Sequence, residues 1–256
     1  MTRFPRVNIL GVGISAVNLT QAVEEIDRWI ARRAAQYVNV CAVHTVMECQ
    51  RDASLRRIVN ASGLATPDGM PLVWLSALRG HRHVSRVYGP DLMLAVCERS
   101  QDWGSRHFFY GGAPGVADLM VRNLKTRYPG LVVAGTHAPP YRPPGTEEDR
   151  EVLDRINAAT PDIVWVGLGT PKQDYWVAHH RPLLDAPVLI AVGAAFDFHA
   201  GLLPQAPRWI QRSGLEWVFR LVHEPRRLAF RYLVYNPWFV LKVALQFAGL
   251  RRYDLD

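Results

Sequence analysis

An α/β fold built on a mainly parallel sheet follows from three observations on this sequence. Short apolar runs recur through residues 1–203, each ends in glycine or a small polar residue, and each leads into helical periodicity. Strands that alternate with helices in this way read as βαβ units covered by helices on both faces, so the strands are apolar throughout rather than alternating. The pattern is that of a Rossmann-like sheet. After Gly201 the strand signals stop, which assigns an α/β domain to residues 1–203 and a helical appendage to residues 204–256.

The elements are justified in turn. The first strand, "VNIL", runs into "GVGIS", and Asn18 with Gln21 forms a capping box opening the helix "LTQAVEEIDRWIARR". "YVNVCAV" leads into "HTVMECQRD", and "RHFFY" into "GGAPGVADLMVRNLKTRYPG", with Pro114 suited to the first helical position. "LVVAGTH" leads into "HAPPYRPPGTEED", a surface loop whose prolines forbid regular structure, and then the helix "EEDREVLDRIN". "DIVWVGLG" precedes a helix starting near Pro171, and "PVLIAVG" precedes "AAFDF". Three helical stretches make up the appendage. Pro225 suits the first turn of one of them, and Asn236-Pro237 is expected to end that helix and begin another.

Composition sets limits on function. At 256 residues, 49% hydrophobic and 21% charged, the chain can bury a good core, and wholesale disorder is excluded. The net charge of +7 and a pI near 9.6 point to an acidic partner: nucleic acid, anionic lipid or a phosphorylated substrate. Residues 220–253 carry seven Arg and Lys against Glu224 alone, so most of the positive charge is concentrated there. Cys41, Cys49 and Cys97 are odd in number, widely spaced and set among apolar neighbours, as expected of reduced structural thiols in a cytosolic protein. "MTRFPRVNIL" lacks the apolar stretch of a signal peptide, and no run reaches the ~18 apolar residues of a membrane span. The localisation expected is cytoplasmic.

Ligands of an open parallel sheet sit at the carboxyl ends of its strands, where helix N-termini and bare amides face the crevice. Gly111 and Gly112 in "YGGAPG", Gly167, Gly169 and Thr170 in "GLGTPKQ", and Asp197 in "VGAAFDF" fall at such ends. The two glycine loops suit phosphate oxygens or a ribose and serve equally to make tight strand-to-helix turns, while Asp197 reads either as holding a sugar or ribose hydroxyl or as capping or bracing its loop. "GVGISA" is a weak likeness to a dinucleotide fingerprint, since the next strand ends in "VCAVH" without the acid that would hold a ribose. Asp68, in an apolar loop between Pro67 and Gly69, reads either as an Asp-Gly turn or as a general base whose surroundings raise its pKa. No His/Cys/Asp set has metal-ligand spacing, and no cofactor or metal is expected. The D-x-D at residues 254–256 is read as tail.

"PDGMPLVW", "YGPDLM", "FFYGGAPGVA", "GLGTPKQDYW", "VGAAFDFHAG" and "LEWVFRLVHEPRRLAFRY" occur in an order that resembles the WecG/TagA/CpsF glycosyltransferases, from "NILGVGIS" to about Tyr232. The resemblance implies an inverting transfer from a nucleotide-diphosphate sugar, usually UDP-linked, to a polyprenyl-diphosphate-linked sugar acceptor at the inner membrane face. It further implies Asp68 as base, Gln173 and the glycine-rich strand ends at the donor, and an appendage that binds the lipid diphosphate. Arg220, Arg227 and Arg231 are expected at that diphosphate, and "NPWFVLKVALQF" at the membrane surface. The match has gaps. A usual Thr-x-Asn pair falls on Val40 and Ala42, which leaves His44 and Thr45 as the nearby polar groups; Asp174 replaces a glutamate and Gln205 an arginine. "PDGMPLVW" is similar to the branch acting in xanthan-type exopolysaccharide assembly, where a glucosyl unit is added. Two other classes compete: a basic nucleic-acid-binding protein using the Arg/aromatic tail, which its continuous apolar content disfavours, and a nucleotide-dependent oxidoreductase. The sequence assigns no oligomeric state.

Overall fold

The computed structural model of the chain describes residues 3–140 and 147–255, apart from the side chains of Glu147, Glu148, Asp149, Arg227 and Arg231. Residues 141–146 of the proline-rich segment and Asp256 of the terminal D-x-D lie outside the described residues. The chain opens on β1 (Arg6–Ile9) and β2 (Val12–Ser15), paired antiparallel with Ile9 opposite Val12. This corrects the expectation that the first run belongs to the parallel sheet. Leu10 and Gly11 both take positive φ, 54° and 78°, the signature of a two-residue type I′ hairpin turn. "GVGISA" is therefore a hairpin, with no helix N-terminus to offer a phosphate.

Further along lie α1 (Leu19–Ala31), β3 (Gln36–Cys41), α2 (Val43–Arg51), α3 (Ala53–Ala61), β4 (Leu64–Pro67) and α4 (Met70–Leu78). Then come α5 (Gly89–Trp103), β5 (Arg106–Gly111), α6 (Val116–Arg127), β6 (Val132–His137) and α7 (Glu147–Ala158). The α/β portion ends with β7 (Ile163–Gly167), α8 (Lys172–His180), β8 (Val188–Ala191) and α9 (Ala195–His199). The strands form a six-stranded parallel sheet in the order β4-β3-β8-β7-β5-β6, flanked by helices. Phe109 stands opposite Trp165, and Trp165 opposite Ile190, all fully buried. Side chains of this size stabilise by roughly 1.5–3 kcal/mol each on leaving water, which is why these strands are apolar on both faces. Buried His107 stays neutral, its pKa pushed down to about 3 by burial, and its Nδ1 accepts from Trp165 Nε1 at 2.9 Å.

The chain divides into two compact units. One comprises residues 1–18, 40–88 and 205–256; the other comprises residues 19–39 and 89–204. In the first, α10 (Arg208–Ser213), α11 (Glu216–His223) and α12 (Pro225–Phe247) follow the sheet portion. Glu224 caps α12 and Pro225 occupies its first turn, as expected. The break expected at Asn236-Pro237 is absent, because α12 runs straight through Pro237. Proline there removes the bond to the Leu233 carbonyl and costs about 3 kcal/mol in a helix interior. Burial of Tyr235 and Phe239 on either side, and packing on α2, keeps the helix intact. The far end is fastened to the hairpin: Leu10 N donates to Gln246 Oε1 at 3.1 Å, and Asn8 Nδ2 donates to the Tyr253 carbonyl at 2.6 Å. Among the described residues no helix is long and apolar enough to cross a membrane.

Candidate active site

Within the first unit, β4 delivers Asp68 directly after Pro67. Its amide donates to the Cys41 carbonyl at 2.9 Å, and Gly69 then caps α4. A carboxylate so placed opens on a cavity of about 1290 Å³ whose polar lining includes Asp68, His44, Arg86, Glu216 and Arg220. Trp74, Leu78, Leu233, Val240, Leu241 and Phe247 supply much of its apolar lining. Gly214 is required beside it: φ is +77°, and a Cβ there would meet the Trp74 ring at 2.5 Å.

Arg86 organises the polar lining. Its Nε donates to the Asp68 carbonyl, its Nη1 to Gln211 Oε1 at 3.3 Å, and its guanidinium lies 4.0 Å from the centre of the Tyr88 ring. Nη2 is 2.6 Å from Glu216 Oε2 and 3.3 Å from Asp68 Oδ1. The Asp68 pKa is pushed up to about 6, first by burial and also by Glu216, against the pull of Arg86 and Arg220. A carboxyl of that kind can accept a proton near neutral pH. Arg220 pairs with Glu224, Nη2 to Oε1 at 3.6 Å, and lines the same cavity. The backbones of Arg227 and Arg231 lie one turn apart on α12, but their side chains are outside the described residues.

His44 faces the cavity from α2, with Nε2 3.4 Å from Glu48 Oε1 and its ring stacked on Tyr235. Tyr235 donates to Glu48 at 2.7 Å and accepts from Arg51 at 2.7 Å, tying α2 to α12. Thr45 is buried, and its hydroxyl accepts from the Ala42 amide at 3.3 Å, so it closes the first turn of α2.

The second unit holds the remaining candidates at the ends of β5, β7 and β8. A Cβ on Gly111 would lie 2.6 Å from the Gly167 carbonyl, and Gly112 N donates to that carbonyl at 3.1 Å. The two turns thus pack backbone on backbone, which accounts for both glycines before any ligand is considered. The Pro114 expectation is corrected here, because Gly115, at φ +80°, is the cap of α6 and the helix starts at Val116. Gln173 is buried on α8 and accepts through Oε1 from Gly169 N at 3.0 Å and Gly193 N at 2.8 Å, bracing two of the turns. Thr170 lies within reach of its Nε2 at 3.5 Å. Asp174 is fully buried and accepts from Asn39 Nδ2 at 2.6 Å, with a pKa raised by burial to about 6. Asp197 lies half-buried on α9.

A family model described as the Glycosyl transferase WecG/TagA/CpsF family matches residues 7–253. The chain belongs to this family. Curated relatives include a protein of Bacillus spizizenii, 32% identical over 196 residues, covering 77% of this chain and 74% of the relative. A Bacillus subtilis protein is 28% identical over 82% of this chain and 80% of its own length. A Staphylococcus aureus protein is 25% identical over 93% and 92%. All three are named N-acetylglucosaminyldiphosphoundecaprenol N-acetyl-beta-D-mannosaminyltransferase. Membership makes this WecG/TagA/CpsF chain a glycosyltransferase and decides among the three competing classes of function.

Asp68 and Arg220, far apart in sequence, share one cavity in this transferase, while Gly111, Gly112, Gly167, Gly169, Thr170, Gln173 and Asp197 all fall in the other unit. Sequence reading passed over Arg86 and Glu216. Arg86 sits in "HRHVSRVYG" without periodicity, and an acid in a first helical turn reads only as a complement to the helix dipole.

Proposed function

We propose that this chain transfers a sugar from a nucleotide-diphosphate donor, UDP-linked, to a polyprenyl-diphosphate-linked sugar in cell-surface or exopolysaccharide synthesis, with inversion. The observation that carries the reading is the double character of the Asp68 cavity. A carboxyl of raised pKa and two arginines share one enclosure with a wall of Trp, Leu, Val and Phe side chains. An acceptor with a charged diphosphate-sugar head and a hydrocarbon chain has the same two halves. The printed names of the relatives, whose acceptor is a sugar-diphosphoundecaprenol, support that choice.

In the proposed step Asp68 takes the proton of the acceptor hydroxyl as its oxygen bonds to the donor anomeric carbon. The bond from that carbon to the nucleotide diphosphate breaks on the opposite face, and the diphosphate leaves with the electron pair. Arg220, with Arg227 and Arg231, holds the acceptor diphosphate, because guanidinium forks bind phosphate oxygens bidentately and keep their charge. To the nucleotide-sugar donor we assign the turns of the second unit, Gly111–Gly112 and Gly167–Thr170, with Gln173 bracing them and Asp197 for a sugar hydroxyl. No metal enters this step. The exposed Phe230, Trp238 and Leu250 and the cations of the C-terminal segment suit the inner face of the cell membrane, where apolar side chains with a basic rim lie in the interface.

The test is nucleotide release across a panel of UDP-sugars, including UDP-glucose and UDP-N-acetylmannosamine, with a short-chain prenyl-diphosphate-linked N-acetylglucosamine as acceptor. Acceptor-dependent release with one donor, unchanged by EDTA, is the expected result. No release with any donor overturns the reading. Co-sedimentation with anionic liposomes tests the membrane assignment separately.

A further inference from the structure

Two carboxylates share one guanidinium nitrogen in the Asp68 cavity, Glu216 at the shorter distance. Arg86 Nη2 lies 2.6 Å from Glu216 Oε2, a close ion pair, and donates a longer hydrogen bond of 3.3 Å to Asp68 Oδ1. The rest of the Arg86 side chain is pinned by the Asp68 carbonyl, Gln211 and the Tyr88 ring, so the two carboxylates face a guanidinium of fixed position. We propose that Glu216 is a positioning residue that shares the charge of Arg86 with Asp68, so that the pairing of Asp68 is weakened and it meets the acceptor hydroxyl as a stronger base.

This rests on the reading of Asp68 as the base. The groups facing Asp68 are Arg86 and Tyr88 from the segment after α4, and Glu216 and Arg220 from α11, with Glu224 on Arg220. Tyr232 of α12 faces Arg220, and His44 of α2, paired with Glu48, lines the same cavity. Burial is the largest influence on Asp68 and raises its pKa; Arg86 and Arg220 lower it, and Glu216 raises it. Remove the charge of Glu216, and Asp68 becomes the nearest carboxylate partner of Arg86. An arginine paired closely with an aspartate lowers its pKa by roughly one to three units, which makes a poorer base.

The variant Glu216→Gln keeps the shape and an acceptor oxygen for Arg86 while deleting the charge. Isotope-edited carboxyl NMR of the full-length protein follows Asp68 directly, whether or not Asp68 is the base. The expected result is a fall in its apparent pKa by about one unit or more, a tenfold gain in acidity. The pH profile of kcat is measured alongside. Its acidic limb moves down with Asp68, and kcat at about pH 8 falls roughly three- to tenfold as the base weakens. An unchanged Asp68 titration in the variant overturns the proposal. A titration that shifts while the acidic limb stays fixed upholds the Glu216–Arg86 coupling and removes Asp68 as the base instead. Glu216→Asp retains the charge one methylene further from Arg86, so its Asp68 titration falls between wild type and the glutamine variant. It supplies the same decision should Glu216→Gln fail to fold.

Discussion

Asp68 and Asp174 are two aspartates pushed to the same pKa, about 6, in the two units of one chain, and their surroundings could hardly differ more. Asp68 opens on a large cavity, is 21% exposed, and faces two arginines and a second carboxylate. Asp174 is fully buried, with Asn39 on one oxygen. A raised pKa alone therefore does not mark a base. Burial raises both; access to a substrate and a set of charges that can be retuned distinguish the first from the second. Gln173, the neighbour of Asp174, braces the turns at Gly169 and Gly193, while Asp174 ties α8 to Asn39 of β3, a structural duty for which a buried acid suffices.

The comparison breaks first at Asp68. Asp68→Asn should lower kcat by about 10²–10⁴-fold, as loss of a general base does. The same variant should raise the Tm at about pH 8, because the folded state no longer has to carry an ionised carboxylate it disfavours. Near-normal turnover in a steady-state assay would remove the base assignment. The next largest effect is expected at Arg220: Arg220→Ala should raise the acceptor KM about ten- to a hundredfold, the worth of a hydrogen bond between charged groups, and leave the donor KM nearly unchanged. Equal changes in both would place Arg220 at the donor instead. The smallest effect on turnover is expected at Asp174. Its pKa lies above the usual carboxylate value when folded, so its contribution to stability is fully present below pH 4 and is lost as pH rises toward 6. Asp174→Asn should flatten that part of the stability-against-pH curve, by about 3 kcal/mol, with kcat within about twofold of wild type. A large kcat loss would make Asp174 part of the chemistry and erase the distinction drawn here.

Much of the sheet was legible in the sequence, because a strand buried on both faces must be apolar throughout, and "FFY", "IVWV" and "VLIA" announce β5, β7 and β8. The exceptions have physical causes. "VNIL" looks the same as those runs, yet the positive φ of Leu10 and Gly11 turns it into a hairpin, and Leu carries no warning of that conformation. "LATP" is only four residues long and ends in proline, so β4 passed unnoticed although it is the strand that carries Asp68. Pro237 reads as a helix boundary locally, and only the buried Tyr235 and Phe239 explain why α12 ignores it. In the site, Asp68 and Arg220 were visible through ordered motifs. Arg86 and Glu216 were not, since their meaning lies in a contact between residues 130 positions apart in the chain.

The fastening of Gln246 and Tyr253 to the hairpin at Asn8 and Leu10 bears on how the molecule is made. The first unit draws its chain from both ends, and the far walls of the Asp68 cavity come from α11 and α12. During synthesis the sheet strands leave the ribosome first, while the cavity lining from α11 and α12 is made about 140 residues after Trp74. The walls of the Asp68 cavity are thus the last part of the chain to be made, and a chain halted before α12 lacks the residues that complete them.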